Sequence, residues 1–202
     1  MINLLVNSTA TVEIDKTSFG GRPVKNKDQP FQWPICSLCE LPMQFLGKVL
    51  GNDELHQIFM CQNDPGMCDD WDANGGANAV IITKPIELEF VPVPAEGVTL
   101  RETEYSAAVV EFEASTYEEA RNEWVKNNSV SRREVLGQIL GQPSWIQGED
   151  IPVCNHCHKP MQFMVQLEQG PDWKTEMNFG GGGAAYLFSC ACRNSAKFLW
   201  QS

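Results

Sequence analysis

The chain has 202 residues, of which 43% are hydrophobic, and a formal net charge of −11. A chain of this length buries roughly two-thirds to three-quarters of its unfolded surface, which allows one large domain or two small ones. Because 15 basic residues stand against 26 acidic ones, the composition argues against a nucleic-acid partner, which requires a basic surface for its phosphate backbone.

The N-terminal residues do not have the pattern of a targeting signal. Residues 1–7 lack a basic segment followed by a long apolar stretch, so no signal peptide is predicted, and no apolar run reaches the length of a membrane-spanning helix. We therefore expect a cytoplasmic protein without a membrane partner. In that compartment, eight cysteines that include paired C-x-x-C motifs favour metal or redox chemistry over structural disulfides.

The first half of the chain is predicted to form short strands around a cysteine pair. Gly20-Gly21 predicts a turn, and residues 25–30 have the composition of a loop. Segment 62–78 is rich in Asp, Asn, Gly and Pro, so Cys68 is expected on a loop. The strands predicted in this half are 2–14, with a break near Asn7-Ser8, then 43–50, 55–61, 79–83 and 86–93.

One strand and two helices are predicted in the middle of the chain. Residues 109–112 favour a strand. Thr116-x-x-Glu119 is a capping box that precedes apolar residues at helical spacing, so a helix is expected to begin there. Ser131-x-x-Glu134 is a second capping box and predicts a short helix that ends near Gly137 or Gly141.

The second half repeats the organisation of the first. The segments 36–45 and 154–163 both read C-x-x-C-x-x-P-M-Q-F, which we interpret as an internal duplication. Many short strands and one clear helix predict a mainly β fold, α+β at most. Further strands are expected at 163–167, 186–190 and 196–200. The predicted organisation is a first repeat at 1–97, a connecting strand and helix at 98–134 and a second repeat at 135–202, packed as one compact unit or as two lobes.

The eight cysteines divide into two sets of four, each with the pattern of a zinc ribbon. A C-x-x-C turn supplies two thiolates and a distant segment supplies two more, which gives the four ligands of a tetrahedral zinc ion. Cys190 and Cys192 lie too far apart on a straight strand to share one ion, so the chain must bend there or His156 or His158 must act as a ligand. We expect two structural zinc ions, one bound by Cys36, Cys39, Cys61 and Cys68, the other by Cys154, Cys157, Cys190 and Cys192.

A closed four-cysteine site leaves no coordination position open for catalysis. The sequence also has no H-E-x-x-H, P-loop, G-x-S-x-G or G-x-G-x-x-G motif. The favoured hypothesis is therefore a non-enzymatic module that binds a protein or peptide, with a basic client held by acidic residues and by Trp33, Trp71 and Trp145. The alternatives are an enzyme, either a metal-dependent hydrolase or a thiol oxidoreductase, and an immunity or regulatory partner of a toxin.

Several of these motifs together resemble the YwqG-like family of uncharacterised bacterial proteins over nearly the whole chain. They are Phe19-Gly20-Gly21-x-Pro23, the paired cysteine segments, Gly141-Gln142-Pro143-Ser144-Trp145 and Phe198-Leu199-Trp200-Gln201. The chain is also distantly similar to the eukaryotic programmed cell death protein 2 family. The resemblance implies a duplicated, β-roll-like fold without an established enzymatic activity and, through the distant family, a chaperone-like role for a ribosomal protein. Many YwqG-like members lack the cysteines, so the zinc prediction depends on the spacing in this chain.

Overall fold

Twelve β-strands and one α-helix make up the fold of residues 1–202, described here from a computed structural model. The mainly β prediction is confirmed. The strands are β1 (Ile2–Ser8), β2 (Ser18–Gly20), β3 (Val24–Asn26), β4 (Gln44–Gly51), β5 (Glu54–Met60), β6 (Asn78–Thr83), β7 (Leu88–Phe90), β8 (Glu104–Phe112), β9 (Val135–Ile139), β10 (Gln162–Leu167), β11 (Ala184–Ser189) and β12 (Ala196–Gln201). The helix is α1 (Tyr117–Asn128), followed by a 3₁₀ turn at Arg132–Glu134.

Ten of the strands form one antiparallel sheet in the order β12-β11-β10-β9-β1-β8-β2-β4-β5-β6. Strands β3 and β7 pair separately. Because β1 lies between β8 and β9, both halves of the chain contribute to a single continuous sheet rather than to two lobes. The terminal strands β6 and β12 approach each other, so the sheet is nearly closed on itself.

The two faces of the sheet bury different clusters. Leu46 and Ile58 belong to the main core, which also contains Met164 and Leu187 from the second half. Alternate residues of a strand point to opposite faces, and Phe45 accordingly packs on the other face with Cys36, Cys61 and Cys68. A third cluster surrounds Cys154 and Cys190 in the same way. Each cysteine set is therefore embedded in its own apolar layer outside the main core.

Helix α1 begins where the first capping box predicts. The Thr116 side chain accepts a hydrogen bond from the Glu119 N–H at 3.2 Å, and the Glu119 carboxylate accepts one from the Ser115 N–H at 2.8 Å. The helix packs Tyr117 and Ala120 against β1. It is the longest helix of the fold, and no helix combines the length and apolar character needed to cross a bilayer.

The helix predicted from the second capping box is wrong. Ser131 caps only the 3₁₀ turn at Arg132–Glu134, and β9 begins at the next residue, Val135. Gly137, proposed as a helix end, lies inside the sheet between Leu5 and Leu167. A central strand position, buried on both faces, has outweighed the local capping signal.

Other element boundaries also differ from the predictions. Residues 25–30, predicted as a loop, include the end of β3, and the turn at Gly20 is entered from the short strand β2. The strand expected at 86–93 is reduced to Leu88–Phe90, since Pro85, Pro92 and Pro94 have no N–H to donate to a ladder. In contrast, the strand predicted at 109–112 extends back to Glu104 because it pairs with both β1 and β2.

Candidate metal centres

Both C-x-x-C motifs form the same tight turn. In the first, hydrogen bonds of 2.9 Å run from Cys36 N–H to Leu41 O, from Glu40 N–H to Cys36 O and from Met43 N–H to Pro34 O. In the second, bonds of 2.9 Å run from Cys154 N–H to Lys159 O, from His158 N–H to Cys154 O and from Met161 N–H to Pro152 O. Glu40 and His158 both adopt left-handed backbone angles, with φ of 59° and 58°. The two motifs therefore present their cysteines in matching geometry.

The remaining cysteines follow β5, which lies between β4 and β6, and β11, which lies between β10 and β12. Cys61 comes directly after β5 and donates its N–H to Ala77 O at 2.8 Å, whereas Cys68 lies on the loop that leads to β6, as predicted. Cys190 follows β11, and the chain then turns sharply, with Arg193 in a left-handed conformation and its N–H bonded to Cys190 O at 2.8 Å. This is the bend that the sequence required for Cys190 and Cys192 to share an ion.

The eight sulfur atoms converge into two separate groups of four. Within each group, all Sγ atoms lie within 4.8 Å of one another, and the eight thiols are free. The Sγ atoms of Cys39 and Cys61 are 3.6 Å apart, those of Cys154 and Cys192 3.8 Å, and those of Cys157 and Cys190 3.3 Å. A tetrahedron with metal–sulfur bonds of ~2.3 Å has edges of ~3.8 Å, so both groups match the geometry of a bound ion.

The structure groups the cysteines into the same two sets of four that the spacing predicted, and neither His156 nor His158 belongs to these groups. Four thiolates suit a soft or borderline ion with tetrahedral preference. Hydrogen bonding already favours the thiolate at one position, because the backbone N–H of Cys157 lowers the pKa of Cys154 to about 6. Burial raises the pKa of Cys68, and a bound cation would offset that cost by stabilising the thiolate.

Asn63 supports the first centre and was not identified from the sequence. Its Nδ2 lies 3.7 Å from Cys61 Sγ and 3.9 Å from Cys39 Sγ, and it donates to Pro42 O at 2.9 Å. Its Oδ1 accepts from Val98 N–H at 2.7 Å. The amide thus directs its positive end toward the sulfur atoms, as outer hydrogen-bond donors of metal sites commonly do. The sequence feature that could have identified Asn63 is its position two residues after Cys61.

The segment from Cys68 to Asn78, here called the linking segment, connects the two centres. Near its C-terminal end, Gly76 O accepts the N–H of Ser37, the neighbour of Cys36 in the first centre, at 2.9 Å. In its middle, Trp71 O accepts the Trp200 N–H at 3.2 Å, and Ala73 packs into the apolar cluster of the second centre. The buried Lys197 then bonds both Asn74 and Asn155, the latter at 2.8 Å. The two sulfur groups therefore share a hydrogen-bonded wall.

Two buried polar groups away from the sulfur atoms have the residue types of catalytic sites. Lys48 Nζ donates to Ser18 Oγ at 2.7 Å, and burial lowers the pKa of Lys48, as in a serine–lysine nucleophile pair. His56 is fully buried. However, Ser18, Lys48 and His56 are each at most 1% exposed and line none of the principal cavities. A substrate has no path to them, so their positions fit a structural role.

The Ser18–Lys48 pair is closed to solvent. The two groups of cysteine sulfur atoms are therefore the reactive groups that solvent and ions can reach. Cys39, Cys157 and Cys192 are partly exposed, whereas the other five cysteines are buried.

No protein-family model matches the chain, and none of the curated proteins compared with it is significantly similar.

Proposed function

We propose that this chain is a zinc-binding, non-enzymatic module that binds a protein or peptide, with two tetrathiolate ions stabilising its fold. The observation that carries the proposal is the convergence of eight sulfur atoms into two groups, each within 4.8 Å. Four thiolates complete the tetrahedron of zinc, so no position is left for water or substrate. The distant resemblance to the programmed cell death protein 2 family, which implies a chaperone-like role, supports binding of a protein.

Metal analysis tests the first part of the proposal. We expect two zinc ions per purified chain, and one in the variant Cys157→Ser, since losing a thiolate opens one tetrahedron while the other remains intact. The variant Cys39→Ser should also retain one ion. Cobalt substitution should give the spectrum of tetrahedral sulfur coordination. A chain that contains no metal and unfolds identically with and without a strong chelator would overturn the proposal.

The partner surface that we propose is the exposed part of the loop 64–72 beside the first centre. Met67 and Trp71 are 74% and 52% exposed there, whereas Trp33 and Trp145, also expected to contact a client, are buried and half-buried. Trp33 is buried and donates its indole N–H to Met43 O at 2.8 Å. Trp145 stacks on Phe188 at 5.9 Å. The prediction of three contacting tryptophans is therefore reduced to Trp71.

The charge of this loop favours a basic client. Asp64 and Asp69 are exposed, and neither they nor Asp72 form an ion pair within the chain. An exposed indole between unpaired carboxylates attracts Lys and Arg side chains by Coulomb and cation–π interactions. The net charge of −11 adds long-range attraction. The partner that the loop 64–72 fits is a lysine- and arginine-rich segment of another protein.

A labelled lysine-rich peptide tests the surface by fluorescence anisotropy. We expect saturable binding that weakens with added salt and weakens about tenfold in Trp71→Ala, because an aromatic anchor commonly contributes ~1–2 kcal/mol or more. The matched control is Trp173→Ala, which removes another exposed tryptophan, at 66%, whose ring lies 5.6 Å from the Lys174 ammonium. Equal losses in both variants would contradict a specific surface at the loop 64–72.

A further inference from the structure

Three arginines border one cavity beside helix α1, in a chain with only 15 basic residues. Arg121 extends from the helix, and Arg132 and Arg133 belong to the 3₁₀ turn that follows it. Together with Gly182 of the glycine-rich loop, they line a space of about 410 Å³, in which Glu168 is the one acidic lining residue. The lining of this cavity therefore has two excess positive charges, although the whole chain carries −11.

Arg121 is buried without a full set of hydrogen-bond partners. Its side chain belongs to a residue that is only 8% exposed, and its Nη1 lies 3.0 Å from Glu168 Oε2. The other carboxylate oxygen, Glu168 Oε1, accepts the Tyr117 hydroxyl at 2.8 Å. The Nε of Arg121 has no hydrogen-bond partner within the chain. Because a buried charged donor without an acceptor is unfavourable, an oxygen ligand in the cavity would complete this site.

Arg132 and Arg133 are held by surface ion pairs that leave donors free. Arg132 contacts Glu118 at 2.5 Å, Arg133 contacts Glu176 at 2.7 Å, and all four side chains are between 29% and 49% exposed. Ion pairs this exposed are weak, since solvent screens them. The arginines use only their Nη atoms for bonds within the chain. A guanidinium has five N–H donors, so both can bind a further acceptor while they keep these carboxylates.

A smaller cavity of about 180 Å³ adjoins the first and has an apolar wall. The two cavities share four lining residues, namely Arg121, Arg132, Glu168 and Gly182. Trp145 and Ile146 line the smaller one only. The indole of Trp145 is held in place by the ring of Tyr186, at 4.5 Å between centroids. A ligand in this space would therefore meet arginines at one end and an apolar wall at the other.

We propose that the two cavities form one binding site for a small organic phosphate monoester, with the phosphate among the three arginines and the organic group against Trp145 and Ile146. A phosphate monoester has three terminal oxygens and a charge close to −2 above pH 7, which match three arginines and two excess positive charges. The planar arginine fork donates paired hydrogen bonds to such oxygens. The larger cavity alone lies within the range of small-molecule sites, ~300–1,000 Å³. The site is separate from the loop 64–72 and takes a ligand of opposite charge, so it does not depend on the proposed function.

Phenyl phosphate is the probe, because it combines the phosphate dianion with a ring of suitable size for the apolar wall. Isothermal titration calorimetry of the full chain as purified, at pH 8, should show saturable binding at one site per chain. Benzoate should bind at least ~10-fold more weakly, since it has two oxygens and a single charge. The absence of saturable binding by phenyl phosphate, or equally tight binding of benzoate, would overturn the proposal.

Inorganic phosphate tests the organic part of the ligand. It should compete with phenyl phosphate but bind more weakly, because it buries no apolar surface against Trp145 and Ile146. Equal affinities for inorganic phosphate and phenyl phosphate would overturn the assignment of an organic group to the smaller cavity.

Variants of the arginines locate the phosphate. In Arg133→Gln, a change at a side chain that is 40% exposed, phenyl phosphate should bind at least ~10-fold more weakly because one cation and its donors are lost. Arg121→Lys keeps the charge but removes the Nε donor and the planar fork, so it should weaken binding by a similar factor. Urea unfolding verifies that both variants are folded, and Arg133→Gln decides alone if Arg121→Lys is not.

The matched control is Arg22→Gln, which removes one positive charge at an exposed residue outside both cavities. It should leave the affinity for phenyl phosphate within about twofold of the parent chain, because solvent and salt screen a distant surface charge. Equal losses in Arg133→Gln and Arg22→Gln would show that only overall charge acts and would overturn the assignment to these cavities.

Discussion

At the scale of single residues, His56 is the buried group with the clearest energetic consequence. Its side chain is fully buried on β5, and neither ring nitrogen has a hydrogen-bond partner. Burial lowers the pKa of His56 below the value of 6.5 that it has in an unfolded chain. The folded state therefore binds fewer protons than the unfolded state in the window just below pH 6.5. Stability from this residue is present above pH 6.5 and is lost as the pH falls toward the folded-state pKa.

Substitutions of His56 separate the effect of its protonation on stability from the effect of burying an unpartnered polar group. In His56→Leu, the free energy of unfolding should depend less steeply on pH between 5 and 7, by up to ~1.4 kcal/mol per pH unit. At pH 8 the variant should be ~1–3 kcal/mol more stable, because two unpartnered nitrogens are removed from the interior. Urea unfolding at several pH values measures both effects.

The variant His56→Gln is the matched control. It keeps an unpartnered polar group at the same site but cannot be protonated, so it should show the shallower pH dependence without the gain at pH 8. Any loss of bound metal at acidic pH should contribute equally to all three proteins and leave their differences unchanged. A pH profile of His56→Leu that runs parallel to that of the parent chain would refute the role assigned to His56.

At the scale of elements, the parts of the fold that the sequence predicts best are those next to the cysteines. The C-x-x-C turns, the strands after them and the grouping of the cysteines into two sets follow from short-range patterns, namely cysteine spacing and apolar alternation. Strand β9 was missed because the local signals, a capping box and glycines, favour a helix end. Only its position between β1 and β10 makes residues 135–139 extended. The sharing of a wall by the two centres also depends on contacts between distant segments, which one sequence does not reveal.

Gly137 in β9 shows how tightly that missed strand is packed. A Cβ at Gly137 would lie 1.9 Å from Gln166 O, and its φ of 144° disfavours any other residue. Gly137→Ala should therefore lower the free energy of unfolding by at least ~3 kcal/mol, since both the neighbouring strand and the backbone angle must change. Urea unfolding with zinc present measures the loss.

Gly182 provides the control for the backbone angle alone. Its φ is 130°, but a Cβ there would meet nothing within 4 Å. Gly182→Ala should cost only ~1–2 kcal/mol, the typical cost of an unfavourable backbone angle. If the two alanine variants were equally destabilised, the close approach of β9 and β10 would not be the dominant effect.

At the scale of the whole molecule, both cysteine groups contact the segment that lies at the closure of the sheet. The linking segment begins at Cys68 of the first centre and contacts the second centre through Ala73 and Asn74. It also bonds β12 through Trp71 O. We infer that loss of an ion bound at the first centre would release Cys68, so that the segment would hold the ends of the sheet together less firmly. The free energy of ion binding at the first centre would thereby be coupled to the structural order of the second centre.

This coupling predicts that the zinc affinity of the second centre depends on the first. In Cys36→Ser/Cys39→Ser, which lacks two ligands of the first ion, chelator competition should show a second-centre affinity at least ~5-fold weaker than in the parent chain, the lower limit of typical coupling. The added variant Asn74→Ala removes the bond to Lys197 without touching a ligand.

A double-mutant cycle isolates the contact that transmits the effect. With Asn74→Ala already present, the loss of second-centre affinity on removing the first ion should shrink, because part of the coupling has been cut beforehand. The exposed helix residue Asn127, which makes no side-chain hydrogen bond, gives the control Asn127→Ala and should leave the coupling unchanged. An unaltered second-centre affinity in Cys36→Ser/Cys39→Ser would mean that the two ions stabilise separate parts of the sheet, and that its closure does not depend on the linking segment.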